Sequence, residues 1–364
     1  MRVDWYPLPL SLSVKVFTTG SLRSYFHVRP RTERIKGGLF CEALLSSEGA
    51  NRRRILRAFL ALFALMGLQL LTACAPPRSS RVTIGAKNFT EQVVLGELLA
   101  QEIEAVTGQP VARRFYLAGS YICQQALVSG RIDGYVEYTG TALTAILKQP
   151  LPPVGQRDAA TVLRRVSDLY ETRYMVRVGP PLGFEDTFAM VIRGEDARRL
   201  GLKAISEAVP HAPDWRLGVG YEFEQRPDGL RGLEATYGLK FKEAPRTMDL
   251  GLLYRALQNQ QVDMVAGNST DGPIRALGFT VLADDRHYFP PYQAVPLIRE
   301  DSIKMHPGIQ VAMERLAGKV SAEEVQGMND AVDGQHRDVG DVVREFRRSK
   351  GLGIWLQESE CGIA

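Results

Sequence analysis

Residues 126–141 read ALVSGRIDGYVEYTGT, and residues 256–272 read ALQNQQVDMVAGNSTDG. Each segment contains the end of a predicted helix, an apolar residue followed by aspartate, a short apolar run, and a loop of glycine and hydroxyl residues. A weaker similarity links Ile84–Phe89 to Val219–Phe223. The two similarities occur in the same order, 130 and 135 residues apart, which favours two related lobes over the alternative of chance likeness between two α/β units.

The residues before the first segment alternate between strand and helix patterns. Val82–Gly85 is a short apolar run typical of a buried strand. Asn88, followed three residues later by Glu91, predicts the start of a helix with a capping arrangement, and Gly108 predicts its end. A second strand is expected over Val111–Leu117, and a second helix follows it. This alternation predicts an α/β fold with parallel sheets.

Both repeated loops lie where a strand ends and a helix begins. Ligands of open α/β sheets bind beyond the carboxyl ends of the strands, and clefts between domains are common ligand sites. The sequence therefore predicts a ligand cleft between two lobes. We expect residues 82–185 and 293–364 to form lobe 1 and residues 186–292 to form lobe 2, with chain crossings at Phe188–Ile192 and Pro290–Leu297.

The positive charge of the chain is concentrated before Cys74. The 364 residues include 45 Lys and Arg and 41 Asp and Glu, a formal net charge of +4. Residues 1–73 contain eleven of the cations and four of the anions, so the remainder carries −3. A chain with that balance gives no reason to expect a nucleic-acid partner.

Residues 51–73 have the pattern of a bacterial lipoprotein signal peptide. An arginine-rich start precedes the apolar stretch Ala58–Leu71, which is shorter than the ~20 residues of a membrane span. Cys74 follows in a setting that resembles a lipobox, so we expect its thiol to carry a lipid anchor and residues 74–81 to form a tether. The alternative is a signal-anchor helix with an incidental cysteine. Residues 1–50 are interpreted as a misassigned start or an unstructured extension.

Signatures of enzymes and metal sites are absent from the sequence. It contains no H-E-x-x-H, G-x-S-x-G, P-loop or C-x-x-C motif, and its five histidines are scattered. Asp133 and Asp263, at predicted strand starts, could be catalytic carboxylates, but acceptance of backbone N–H bonds is favoured. We therefore expect no catalytic residues, cofactor or metal. Cys123 and Cys361 could pair, a question that the sequence leaves open.

Five loop motifs occur in a fixed order along the chain. They are Ile84–Gln92, Glu137–Thr141, Arg226–Leu230, Ser269–Gly272 and Phe289–Tyr292. Together they resemble the osmoprotectant (glycine betaine/choline/carnitine) substrate-binding proteins of ABC transporters, over about Arg81 to Arg347. The resemblance implies a two-lobed type II periplasmic-binding fold that closes around a small zwitterionic or cationic solute. It also implies an extracytoplasmic, monomeric protein that works with ABC permease subunits.

The resemblance further implies a set of ligand-binding residues: Lys87, Tyr138, Thr141, Phe188, Arg226, Asn268 and Tyr292. The three aromatic residues would form a cage around a quaternary ammonium, each ring contributing ~0.5–2 kcal/mol. Lys87 and Arg226 would hold a carboxylate through charge-assisted hydrogen bonds, with Thr141 as a further donor.

Asn268 departs from the pattern of the family. Relatives with a full cage usually carry an aromatic residue before the Ser-Thr-Asp-Gly motif, and an amide offers no comparable π face. The loss of one wall costs ~1–2 kcal/mol, or about tenfold in affinity. We therefore expect weak binding of a quaternary amine, or a ligand with an additional polar group.

Other roles remain open for these residues. The two tyrosines could be ordinary rim residues, Phe188 could belong to the core, and Lys87 and Arg226 could form surface ion pairs. An exported enzyme on the same scaffold would need a nucleophile or paired acid–base groups inside the cleft. Asp133, Asp271 and a histidine within hydrogen-bond reach of one another would favour that alternative. A ligand sensor without transport is a further alternative, which a neighbouring gene for a kinase or cyclase would favour.

Overall fold

Two five-stranded sheets, each with helices on both faces, form the part of the chain that the computed structural model describes, residues 81–150 and 157–352. The strands are β1 (Thr83–Gly85), β2 (Ala112–Arg114), β3 (Gly134–Tyr138), β4 (Val176–Val178), β5 (Phe188–Arg193), β6 (Leu217–Val219), β7 (Arg246–Thr247), β8 (Met264–Asn268), β9 (Phe279–Leu282) and β10 (Ala294–Arg299).

Fourteen α-helices lie between these strands or after them in the described ranges. They are α1 (Thr90–Thr107), α2 (Ser120–Val128), α3 (Thr139–Thr141, continued by a π-helix over Ala142–Ile146), α4 (Ala159–Tyr174), α5 (Gly194–Leu200), α6 (Ile205–Ala208), α7 (Tyr221–Gln225), α8 (Leu230–Tyr237), α9 (Leu250–Gln258), α10 (Gly272–Ala276), α11 (Glu300–Met305), α12 (Gly308–Leu316), α13 (Ala322–Asp333) and α14 (Val339–Ser349). A 3₁₀ turn spans Ala212–Asp214.

The two sheets have the same topology. Lobe 1 has the order β2-β1-β3-β10-β4 and lobe 2 the order β7-β6-β8-β5-β9. In each, the first three strands are parallel, while the fourth runs antiparallel to both of its neighbours. The two-lobed α/β prediction is confirmed. The sheets are mixed rather than purely parallel, because each contains one strand that arrives directly from the other lobe.

The repeated aspartates hold equivalent positions in the two sheets. Thr83 N donates to Asp133 Oδ2 at 2.8 Å, and Asp133 N returns a bond to Thr83 O at 2.7 Å. In lobe 2, Arg216 N donates to Asp263 Oδ2 at 2.9 Å and Asp263 N to Arg216 O at 2.8 Å. Each aspartate therefore ties the start of one strand to its parallel neighbour, and their predicted role as backbone acceptors is confirmed.

Two local predictions are wrong. The helix expected at Asn88 begins at Thr90, and Glu91 does not cap it because its carboxylate points into the protein interior. The strand expected over Val111–Leu117 ends at Arg114, because Tyr116 and Ala118 adopt φ values of 60° and 70° that turn the chain out of the sheet.

Each sheet separates two hydrophobic clusters, because successive side chains of a strand point to opposite faces. Val136 and Tyr138 of β3 belong to the cluster beneath α1, whereas Tyr135 belongs to the cluster beneath α2. The first cluster continues into α12, α13 and α14, which pack on α1. The C-terminal helices therefore complete lobe 1. No helix in residues 81–150 or 157–352 is long and apolar enough to cross a membrane.

The chain crosses between the lobes in two adjacent segments, residues 184–187 and 289–293. Glu185 and Gln293 form an antiparallel bridge, and Asp186 N donates to Tyr292 O at 3.1 Å. The predicted crossing at Phe188–Ile192 lies too far along the chain, because those residues pair with β8 inside lobe 2.

Cys123 is buried and free, and its candidate partner Cys361 lies outside the described residues. The signal-peptide and lipid-anchor predictions, including Cys74, also fall on residues that the structure does not describe.

Candidate functional site

A cavity of about 230 Å³ lies between the two sheets, where four strands end. Lys87 follows β1 and Tyr138 ends β3, while Gly220 follows β6 and Asn268 ends β8. The loops that resemble one another in sequence therefore face a shared space. Its volume is below the ~300–1,000 Å³ of pockets for drug-sized ligands, so it suits a small solute.

All seven predicted binding residues line this cavity. They are Lys87, Tyr138, Thr141, Phe188, Arg226, Asn268 and Tyr292. The first three belong to lobe 1, the next three to lobe 2, and Tyr292 to the returning crossing segment. The structure brings them together from positions up to about 200 residues apart, and their role in binding remains a prediction.

Phe188 is the centre of an aromatic group at the cavity. Its ring lies 5.9 Å from that of Tyr292 and 4.8 Å from that of Phe223, both nearly edge to face. Phe188 also packs against the cores of both lobes. Phe188 is thus both a core residue and part of the cavity wall. Phe223 is a further aromatic residue at the cavity that the sequence analysis missed.

Lys87 is buried in an ion pair rather than at the surface. Its Nζ lies 2.5 Å from Glu137 Oε1, with both side chains almost fully excluded from solvent. The same Nζ lies 4.9 Å from the centre of the Tyr138 ring. Glu137 precedes Tyr138 in the strand-end motif and balances the lysine's charge, so a solute would meet an ammonium whose orientation is fixed by an ion pair of low net charge.

Arg226 is likewise buried and paired. Its Nε and Nη2 donate to the two oxygens of Asp228 at 3.0 and 2.6 Å, and Tyr292 OH donates to Asp228 Oδ2 at 2.6 Å. Burial disfavours the charged guanidinium, but the Asp228 carboxylate outweighs that effect and raises the pKa of Arg226. The guanidinium lies 4.7 Å from the centre of the Phe188 ring. The pair thus fixes one cation against the aromatic group.

Asn268 lies opposite Phe188 in the pairing of β5 with β8. Its backbone N donates to Asp271 Oδ2 at 2.8 Å, and its Nδ2 lies 3.5 Å from Asp271 Oδ1. Tyr254 OH donates to the same carboxylate at 2.6 Å. The amide is therefore part of a lobe 2 network and places a polar group on the cavity wall.

Glu91 forms a buried connection between the lobes that the sequence analysis missed. Its Oε1 accepts from Tyr138 OH at 2.6 Å, while its Oε2 accepts from Thr270 Oγ1 at 2.5 Å and Asn329 Nδ2 at 3.1 Å. Burial raises the pKa of Glu91 to about 7, although these hydrogen bonds oppose the shift. The spacing of Glu91 from Leu95 indicated the buried face of α1 and could have identified it.

Asp186 is a second carboxylate missed by the sequence analysis. It lines the cavity from the first crossing segment and accepts from Ser269 Oγ and Thr270 N, both at 3.3 Å. Burial, together with the nearby carboxylates Glu91 and Asp271, raises the pKa of Asp186 well above its usual range.

Among the described residues, Asp133 and Asp271 do not come together with a histidine, the grouping that would favour the enzyme alternative. Asp133 bonds to Thr83 and Ser302, whereas Asp271 bonds to Tyr254 and Asn268 in the other lobe. None of the histidines that the structure describes lines the cavity. Within residues 81–150 and 157–352, no group of three or more His, Cys, Asp or Glu could hold a metal ion.

Fold and site together define a two-lobed solute-binding protein with a cavity between its lobes. Residues 80–349 match the family described as the substrate-binding domain of the ABC-type glycine betaine transport system. The chain belongs to this family of extracytoplasmic substrate-binding proteins, which bind small solutes and work with permease subunits.

Similar proteins agree with that assignment. The chain is 30% identical over 300 residues to the carnitine transport binding protein OpuCC of Listeria monocytogenes, covering 80% of this chain and 96% of that protein. It is 32% identical over 305 residues to a glycine-betaine-binding protein of Pseudomonas aeruginosa, covering 80% and 94%. The crystal structure of a glycine betaine/carnitine/choline ABC transporter protein superposes with a TM-score of 0.63 at 30% identity, covering 74% of this chain and 99% of that one.

The raised pKa of Glu91 predicts a pH-dependent stability. An unfolded glutamate loses its proton near pH 4.3, whereas folded Glu91 retains it to about pH 7. Between these values the folded protein loses stability as the pH rises, by up to about 1.4 kcal/mol per pH unit. The free energy of unfolding of the wild type minus that of Glu91→Gln should therefore fall over this range and level off above it.

Urea denaturation from pH 4.5 to 8 measures this difference. Glu171→Gln, an exposed change on α4, is the matched control and should follow the wild type. Parallel curves for the wild type and Glu91→Gln would show that the buried carboxyl does not hold its proton.

Proposed function

We propose that the protein binds a small solute with a quaternary ammonium group, such as glycine betaine or choline, and delivers it to an ABC permease. One observation carries this proposal: aromatic rings and buried cations line the same small cavity. The rings are those of Tyr138, Phe188 and Tyr292, and the cations are Lys87 and Arg226. The carnitine and glycine betaine named for two relatives support the same class of ligand.

The chemistry of such a solute matches the aromatic and the cationic residues that line the cavity. A quaternary ammonium has no N–H to donate, so aromatic faces and nearby negative charge are its favourable partners. Phe188 and Tyr292 offer such faces. A solute carboxylate would be held by charge-assisted bonds from Lys87 and Arg226, whose orientation is already set by their buried partners.

Binding is expected to shift the two lobes toward a closed arrangement. The adjacent crossing segments allow the lobes to move as units, and a solute that contacts both lobes favours the closed state by its differential affinity. The permease would then read the closed form. This is a population shift without covalent chemistry.

A solute panel tests the proposal. Calorimetric titration with glycine betaine, choline, carnitine and ectoine should give at least one saturable isotherm. Thr141→Val removes a buried hydroxyl from the cavity with little change in volume. It should weaken glycine betaine and carnitine by about fivefold to tenfold and spare choline, which has no carboxylate. No heat of binding with any of the four at millimolar concentration would refute the assignment.

The cage interpretation predicts a gain of affinity at Asn268. Asn268→Tyr adds an aromatic face to the cavity wall and should tighten glycine betaine binding by about tenfold. Asn268→Leu adds a similar apolar bulk without a π face and serves as the control. Equal effects of the two changes, or none, would mean that an aromatic wall is not what this position lacks.

We also propose that Cys74 carries a lipid anchor that keeps the protein on the outer face of a membrane. The support is the apolar stretch Ala58–Leu71 and the small residues before Cys74. Expression in a bacterium with radioactive palmitate should label the wild type and not Cys74→Ala, which should shift to the soluble fraction. Cys123→Ala is the control and should remain labelled; equal labelling of Cys74→Ala would contradict the anchor.

A further inference from the structure

Helix α2 of lobe 1 receives its N-terminal cap from lobe 2. The helix begins at Ser120, its N-cap residue Gly119 has no side chain to offer, and its first turn contains no acidic residue. Ser120 N donates to Glu222 Oε1 at 2.5 Å, and Ser120 Oγ donates to Glu222 Oε2 at 3.2 Å. Glu222 belongs to α7, which follows β6 in the other lobe. The positive end of α2 is therefore neutralised across the cavity.

The approach of Glu222 depends on the glycine at position 119. A Cβ atom placed there would overlap Glu222 Oε1 and lie 2.9 Å from its Cδ, so the glutamate side chain would have to move away from Ser120. Asn88 N donates to the backbone oxygen of Ala118, the residue before Gly119, at 3.1 Å. This bond ties the loop before α2 to the loop after β1. The lobe 1 half of the contact is thus held to a neighbouring loop by a backbone hydrogen bond.

Glu222 also connects this contact to the solute site. Its Oε2 lies 3.6 Å from Nη1 of Arg226, the part of the guanidinium that Asp228 does not occupy. Gly119, Glu222 and Arg226 all line the cavity. A single carboxylate therefore touches the opposite lobe on one side and a proposed solute contact on the other.

We propose that Glu222 is a positioning residue that holds the lobes closed by capping α2 from across the cavity, and so slows the release of the solute. Opening the lobes separates the carboxylate from Ser120 and leaves the helix N-terminus to water. The closed arrangement then gains a charge-assisted N-cap that the open one lacks. Only the effect on solute release depends on the proposed function.

Small-angle X-ray scattering of the ligand-free protein tests the closing role directly. Glu222→Ala should increase the radius of gyration by shifting the population toward open molecules, and Glu222→Gln, which keeps an acceptor without charge, should lie between it and the wild type. The control is Glu224→Ala on the same helix, whose carboxylate accepts from Thr247 Oγ1 at 2.7 Å within lobe 2. An unchanged radius for Glu222→Ala, or an equal change in the control, overturns the proposal.

Gly119→Ala provides an independent variant that leaves the carboxylate in place. It should mimic Glu222→Ala, and the double variant should open no further than either single one, because both remove the same contact. Additive effects would show that the two positions act separately and would overturn the cap.

Stopped-flow dissociation of glycine betaine tests the effect on release. The dissociation rate of Glu222→Ala should rise about tenfold, the range expected for loss of an N-cap, with Glu222→Gln recovering part of it and the association rate changing less than twofold. An unchanged dissociation rate overturns the proposal. If the wild type binds no solute of the panel, the proposed function fails, and the scattering result alone decides whether Glu222 closes the lobes.

Discussion

The buried ion pair between Arg226 and Asp228 is the interaction on which the rest of the site depends. A guanidinium removed from water must be paired, and Asp228 provides both of its oxygens. The same carboxylate accepts from Tyr292, so the pair fixes a ring on the crossing segment as well as a cation in lobe 2. Phe188 packs beneath the guanidinium. One ion pair thus orders the cation, two aromatic rings and the crossing segment together.

Contacts between the lobes surround the cavity on several sides. Glu91 links Tyr138 in lobe 1 to Thr270 in lobe 2, and Glu222 reaches Ser120 in the opposite direction. Helix α10 of lobe 2 also packs on α13, where a Cβ on Gly272 would lie 2.8 Å from a backbone nitrogen of that helix. Polar contacts of this kind can exchange with water when the lobes separate, which suits a protein that must both hold and release its ligand.

Pattern reasoning succeeded where the physical cause is local or repeated. The likeness of residues 126–141 to residues 256–272 predicted two lobes, because similar sequences form the same strand-and-loop unit. The aspartate of each segment accepts a backbone hydrogen bond as expected. It failed at Glu91, because the capping spacing was present but the buried side chain accepts a hydrogen bond from Thr270 instead of capping the helix. It also missed the role of Glu137. This residue lies inside the strand-end motif Glu137–Thr141, but nothing in that motif indicates that it pairs with Lys87, 50 residues earlier.

The order of amino acids was enough to specify the repeated strand ends at the cavity, the small and aromatic residues that follow them, and the family to which the motifs point. These features depend on hydrogen bonding and sterics over a few residues. Only the folded chain shows which charges are neutralised and which lobe caps which helix. Glu91 meets partners 179 and 238 residues away, and Glu222 one 102 residues away. Such pairs arise because burial leaves a polar group no water to bond with, and folding alone determines which partner is in reach.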